Sequence, residues 1–283
     1  MSSENSKISL YLRIASYSVL AFTLAFLINN VLTVWIDWPG VKKIFSHYEM
    51  FGFKKKALDG STLSYGFMQI GVYLICIVAV IIYVFKTYSQ TLERDSEILS
   101  NFSAYLVRSS FWAVFLVGVA DFIISFMVVE RLWEAIFSPE VKAFMVKSPE
   151  RITFIHFPII LISFVIGYFT KSVGFIWLAV LVVVSEFIIV LSRFIFSYEQ
   201  AFQGDLVRFW YAALYLFASA YALIHEGHVR VDVLYSSFSE RKKAWTNLLG
   251  SALLGVPLVL IVLFLGLNGK ASIINGPVVA FEV

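Results

Sequence analysis

Seven long apolar runs dominate this chain, and they restrict it to folds in which lipid is the solvent. A helix needs about 20 apolar residues to cross a hydrocarbon core about 30 Å thick, and each run is of roughly that length or longer. Inside lipid the backbone polar groups have no water to bind, so each run is expected to be helical. The runs comprise residues 9–35, 67–87, 106–129, 152–170, 173–198, 206–224 and 247–268. The sequence therefore predicts an all-α, polytopic integral membrane protein.

The composition excludes a water-soluble fold. Hydrophobic residues make up 60% of the 283 residues and charged residues only 14%, whereas soluble domains are about 45–50% apolar and about 25% charged. The net charge of +3 is too small to indicate a nucleic-acid partner. The first apolar run is too long for the apolar part of a signal peptide, so we interpret it as a retained anchor.

The segment 225–228, His-Glu-Gly-His, has the composition of a metal site but not its spacing. Zinc proteases carry two histidines four residues apart on one helix face, with the glutamate between them. Here His225 and His228 are three apart, Gly227 weakens a helix, and no third ligand is evident nearby. With no nucleophile motif and no phosphate-binding glycine loop, we expect no metal, no cofactor and no enzymatic activity.

Two acidic residues lie within apolar runs, where ionisable groups are costly and usually face protein or water. Asp121 is in the middle of the third run, and Glu186 is in the fifth. Arg193 follows Glu186 by seven residues, so the two share a helix face. These residues are either partners that fix helix packing or parts of an ion or proton path. The second interpretation would make the chain a self-contained transporter or channel using Asp121 and Glu186.

Alternating polar residues form a connector after the sixth run. Glu226, His228, Arg230 and Asp232 alternate with glycine and valines. In a helix Glu226 would meet Arg230 and His228 would meet Asp232, as residues four apart do. In an extended segment all four would line one face. Both alternatives give a one-sided, charged connector.

The residues after this connector predict a helix lying in the membrane interface. Leu234, Phe238 and Trp245 accompany the basic residues 241–243. Basic loops favour the cytoplasmic side, which places the connector and the N-terminus there. The same count puts the lysines within 42–56 outside, so either that loop is an exception or one N-terminal run does not cross.

Residues 222–235, Ala-Leu-Ile-His-Glu-Gly-His-Val-Arg-Val-Asp-Val-Leu-Tyr, resemble the signature of the DctQ-type small permease subunit of tripartite ATP-independent periplasmic (TRAP) transporters. Glu186 with Arg193, and Asp205-Leu206-Val207-Arg208, are similar to two further family patterns upstream. The resemblance covers residues 173–283. It leaves 1–172 as an N-terminal extension of about four helices.

This sequence differs from the DctQ family pattern at two places. Phe194 stands where the family has tyrosine, and the chain ends at Val283, where the family's fourth helix is expected.

The resemblance implies a scaffold subunit in the bacterial inner membrane. Such a subunit packs against a large permease, which holds the sodium and substrate sites, while a periplasmic binding protein delivers a small organic acid. The expected partners are therefore these two proteins and membrane lipids, with no nucleic acid. The residues expected to have structural or interface roles are Glu186, Arg193, Asp205, Arg208, Glu226, His228, Arg230 and Asp232.

Overall fold

The computed structural model describes residues 3–141, 148–171, 175–198, 201–224 and 233–276. Within these ranges the chain is helical, with turns between the helices and no strand. In chain order the helices are α1 Ser3–Val34, α2 Val41–His47, α3 Gly60–Lys86, α4 Leu92–Val129, α5 Trp133–Ile136, α6 Ser148–Arg151, α7 Phe157–Phe169, α8 Phe175–Phe196, α9 Ala201–Ile224, α10 Glu240–Gly250 and α11 Val256–Gly266. The predicted all-α polytopic class is confirmed.

Six helical segments within the described ranges are long and apolar enough to cross a membrane. They are Lys7–Val34, Gly60–Lys86, Leu92–Val129, Ile152–Phe169, Ile176–Ile195 and Glu240–Gly266. These coincide with six of the seven predicted runs. The remaining run, 206–224, lies within the 24-residue helix α9, and several side chains of that helix are outside the described residues.

Two π-helical turns interrupt the α-helices, and each lies just before a proline. Ile152–His156 precedes Pro158, and Ser251–Gly255 precedes Pro257. Proline lacks the amide hydrogen and its ring clashes with the carbonyl four residues earlier. A wider turn upstream relieves that clash and lets the helix continue.

The second π turn joins α10 and α11 into one continuous helix from Glu240 to Gly266. In place of the separate interfacial helix that we predicted around Trp245, this part of the chain forms the first turns of the last long helix. The reason is local, because the backbone keeps helical angles through Gly250, Ser251 and Gly255. A 3₁₀ turn, Tyr235–Ser237, precedes the helix.

The chain divides into two compact units, residues 1–96 with 233–283 and residues 97–232. The boundary at 172/173 that the resemblance implies is drawn from sequence similarity, and it stays a prediction.

In the first unit, α1 and α3 pack together and a buried ion pair joins α1 to the start of α4. Arg13 Nε lies 2.5 Å from Asp95 Oδ2, and both residues are almost fully buried. Arg13 also donates to the Thr87 carbonyl oxygen at 2.7 Å. Tyr17 and Gln90 donate to the other Asp95 oxygen at 3.1 and 2.7 Å. The buried charges are therefore both paired and hydrogen-bonded, as burial requires.

In the second unit, α4, α8 and α9 share an aromatic core. Its buried members are Phe111, Leu178, Leu206, Trp210 and Ala213. The indole of Trp210 packs so closely on Gly118 that a Cβ there would lie 2.1 Å from Trp210 Nε1. Only glycine allows this approach of α4 and α9.

A second close approach joins α7 to α4. A Cβ at Gly167 would lie 2.9 Å from the backbone nitrogen of Ser109. Small residues that let helices come together in this way are a usual packing device in membranes.

Candidate functional site

Helix α8 carries the acidic residue that the sequence singled out in its fifth apolar run. The side of α8 formed by Leu178, Ser185 and Ile189 is buried. Glu186 is exposed. Because α8 runs from Phe175 to Phe196, Glu186 is close to its middle.

The exposed side of α8 is a continuous apolar face around this carboxylate. We name it the outer face of α8 and define it by Val183, Glu186, Phe187, Val190 and Phe194. The four apolar members are between 53% and 88% exposed. No hydrogen bond or ion pair reaches Glu186 from the described part of the chain. The face therefore combines a bare carboxylate with uncovered apolar surface in mid-helix.

Arg193 lies in the last turn of α8, two turns after Glu186, and it is also exposed. A cation in the last turn interacts favourably with the helix dipole. The structure places Glu186 and Arg193 at the surface of this chain and not in its core. Their interface role stays a prediction.

Asp205 and Arg208 form an ion pair in the second turn of α9. Arg208 Nη1 lies 3.3 Å from Asp205 Oδ1, but the side chains are 85% and 79% exposed. Exposed pairs of this kind contribute only about 0–1 kcal/mol. Leu206 and Val207, between them, point into the core.

Asp121 lies in a polar cluster with two basic residues that precede α7. Arg151 Nη1 donates to Asp121 Oδ1 at 3.3 Å, and His156 Nε2 lies 2.9 Å from the same oxygen. All three side chains are less than a fifth exposed. The cluster joins α4 to the segment before α7, which favours the packing interpretation of Asp121. Glu186 is not among the contacts of this carboxylate.

The π turn explains how both basic residues reach one oxygen. In an α-helix, residues five apart point about 140° away from each other. Arg151 and His156 are five apart, and the turn Ile152–His156 between them is π-helical. Its wider winding brings the two side chains to the same side. Sequence reasoning found Asp121 but missed Arg151, although its position at the start of the fourth run was a usable signal.

The remaining predicted residues, Glu226, His228, Arg230 and Asp232, lie outside the described residues. His225 lies outside them as well. Across the ranges that are described, no group of three or more histidine, cysteine, aspartate or glutamate side chains is placed to hold a metal ion.

Residues 180–278 match the family model described as "Tripartite ATP-independent periplasmic transporters, DctQ component". The chain carries a DctQ region. This confirms the resemblance seen in the sequence, with a start seven residues later than the one we expected. Comparison with curated proteins and with solved structures gave no significant match.

The DctQ region contains the outer face of α8, all of α9 and the last long helix. DctQ is a component of transporters, and the chain is a multi-pass membrane protein with such a region near its C-terminal end. Residues 1–179 lie outside the match.

The last helix of the DctQ region is barely covered by the rest of the chain. From Glu240 to Leu265 no residue is buried. A Cβ added at Gly250 or Gly255 would meet nothing within 4 Å. Its contacts with α1 are at its C-terminal end, where Phe264 packs edge-on against Phe26 and the Leu267 carbonyl accepts a hydrogen bond from Asn30. Near its start, Asn247 is hydrogen-bonded to the Tyr235 hydroxyl.

Sequence reasoning missed the Arg13–Asp95 pair outside the DctQ region. Arg13 lies inside the first apolar run, and Asp95 lies between the second run and the third. The available signal was an arginine four residues inside an apolar run, because a charge in that position requires a partner.

Proposed function

We propose that this chain is the small membrane subunit of a TRAP transporter and that it acts as a scaffold for a large permease. The large subunit holds the sodium and substrate sites. A periplasmic binding protein delivers a small organic acid, and the complex works in the bacterial inner membrane. The observation that carries the proposal is the bare carboxylate of Glu186 on the outer face of α8.

A carboxylate in the middle of a membrane span needs a partner. Placing a charged side chain at the centre of a membrane helix costs about 2.5–3.5 kcal/mol on insertion scales. Glu186 lies on an exposed face whose neighbours, Val183, Phe187 and Val190, are apolar. A polar group of a second membrane subunit, covering this face, would supply the missing hydrogen bonds.

The last helix supports the same interpretation. Gly250, Ser251 and Gly255 leave one stretch of its surface small, and both glycines face open space. In membranes, small residues let another helix approach closely. Since the described residues leave that space open, a helix of the permease is the expected occupant.

The scaffold proposal is favoured over a self-contained transporter because of Asp121. Both basic neighbours, Arg151 and His156, engage one of its oxygens. A carboxylate held in this way fixes helices in place. The likeness to the DctQ family supports a role as one component of a transporter.

Co-purification tests this function. Tagged chain, expressed with its neighbouring genes, should retain a large permease of many helices. Glu186→Gln should lower the permease yield at least tenfold while the variant remains monodisperse. Glu93→Gln is the matched control, since Glu93 is exposed in the first turn of α4 and lies outside the residues of the DctQ match.

Two outcomes would contradict the proposal. One is solute uptake into liposomes by the purified chain without any other subunit. The other is full permease yield with both Glu186→Gln and Gly255→Leu, because each change alters a surface assigned to the partner.

A further inference from the structure

A shallow groove lies beside the first turns of the last helix. Its volume is about 510 Å³. Arg241, Trp245 and Leu249 line it at successive turns of α10, and Lys242 and Thr246 lie next to them. Phe238 and Ser239, just before the helix, complete the lining. The groove thus combines cations, hydroxyl groups and apolar side chains.

The length of the helix sets the depth of the groove in the membrane. The helix Glu240–Gly266 has 27 residues and is therefore about 40 Å long. The hydrocarbon core is only about 30 Å thick, so several residues must extend into the headgroup layer. The polar residues are at the N-terminal end, where Trp245 is 54% exposed, as an interfacial tryptophan would be.

The charges of the groove are not neutralised by the described part of the chain. Lys243 pairs with Glu240 at 3.1 Å and lies over the Tyr235 ring, on another side of the helix. Arg241 and Lys242 make no ion pair within the described ranges, and both are exposed. Two adjacent cations therefore remain available to an anion.

We propose that this groove binds the headgroup of an anionic phospholipid. The Arg241 guanidinium and the Lys242 ammonium bind the phosphate, since guanidinium matches phosphate geometry and ammonium supplies a point charge. An acyl chain lies along Trp245 and Leu249, toward the apolar part of the helix. This lipid site is separate from the proposed permease contacts at Glu186 and Gly255, and it does not depend on them.

Native mass spectrometry of the full chain in detergent micelles tests the site. The protein is titrated with phosphatidylglycerol and with phosphatidylcholine of identical acyl chains. Wild-type protein should retain phosphatidylglycerol preferentially. Basic residues near an anionic surface contribute roughly fivefold each, so Arg241→Gln with Lys242→Gln should lower the preference roughly 25-fold.

Matched variants separate the site from general charge effects. Lys54→Gln with Lys56→Gln removes two exposed cations from another surface and should change the preference less than about twofold. Arg241→Lys with Lys242→Arg keeps both charges and should keep the preference. This second variant gives an independent result if the glutamine variant fails to fold.

Three results would overturn the proposal. The first is equal retention of the two lipids by wild-type protein. The second is an unchanged preference in the folded glutamine variant. The third is displacement of phosphatidylglycerol by millimolar inorganic phosphate, which would make the groove a site for free phosphate.

Discussion

Two carboxylates within helices of the N-terminal part, Asp95 and Asp121, are held by basic side chains, whereas Glu186 in the DctQ region has no partner among the described residues. Arg13 and Asp95 are buried against each other, and Asp121 is held by two basic residues. In the DctQ region, Glu186 is exposed in mid-helix. The comparison shows that Asp95 and Asp121 find counter-charges within the chain, whereas Glu186 is open to the partner that we propose.

Individual glycines also differ in what covers them, although not by region, because Gly71 in α3 is open and Gly266 packs on Ile274. Trp210 occupies the space beside Gly118, and Ser109 occupies the space beside Gly167, so both glycines serve packing within the chain. Gly250 and Gly255 face open space. Three of the four predictions below test this difference between covered and open positions, and the fourth concerns pH.

The largest effect is expected from the buried pair. Asp95→Ala removes the counter-charge of Arg13, and leaving a buried charge uncompensated costs about 3–5 kcal/mol. Thermal unfolding in detergent should show a large loss of stability. Asp205→Ala breaks an ion pair that is mostly exposed, so it should cost less than about 1 kcal/mol. Similar losses for the two variants would remove the contrast.

Asp121→Asn should have the next largest effect. It removes the charged acceptor of Arg151 and His156, and hydrogen bonds to charged groups contribute about 1.5–3 kcal/mol. The measurement is again unfolding of the purified chain. If stability were unchanged while the assembled transporter lost ion coupling, the ion-path interpretation of Asp121 would replace the packing one.

Gly118→Ala should destabilise by about 1–3 kcal/mol, the usual cost of overpacking. The added methyl group meets the buried ring of Trp210, which has no room to move away. Gly255→Ala is the matched change in open space, and it should be neutral or slightly stabilising, since alanine favours helices. A destabilising Gly255→Ala would mean that this surface is used within the chain.

The smallest effect concerns pH at the start of α3. The hydroxyl of Ser61, at 2.5 Å, and then that of Thr62 lower the pKa of Asp59 to about 2. A lowered pKa means that the ionised form stabilises the fold above about pH 4, and that this contribution disappears as the pH falls toward 2. Asp59→Asn should slightly flatten the curve of unfolding free energy against pH between about pH 4 and 2, as measured by unfolding in detergent. An identical profile in both proteins would contradict the assignment.

Much of the fold could be predicted because it is a local property. Six of the seven apolar runs coincide with helices long and apolar enough to span a membrane, since lipid forces each segment to satisfy its own backbone. The resemblance to DctQ could also be recognised from the sequence, because it depends on a short motif and not on packing. The residues around Trp245 do not form a separate helix, because the helix Glu240–Gly266 continues through the π turn Ser251–Gly255.

The candidate site was only partly predictable. Glu186 was found because a charge in an apolar run is conspicuous, but its exposure was not foreseen. Periodicity places a residue on a helix face without saying which face the neighbouring helices cover. The covered face of α8 is set by α4 and α9, through Leu178 and Trp210.

By itself, the sequence determined that the chain is an all-α membrane protein with a DctQ region, since apolar length and a contiguous motif are read along the chain. Only the tertiary structure decided which charges meet. Arg13 and Asp95 are 82 residues apart, and Asp121 and Arg151 are 30 apart. Such pairs depend on which helices are neighbours, how far each is rotated and where a π turn changes the register. No local pattern fixes those quantities, because they follow from the packing of whole helices against one another.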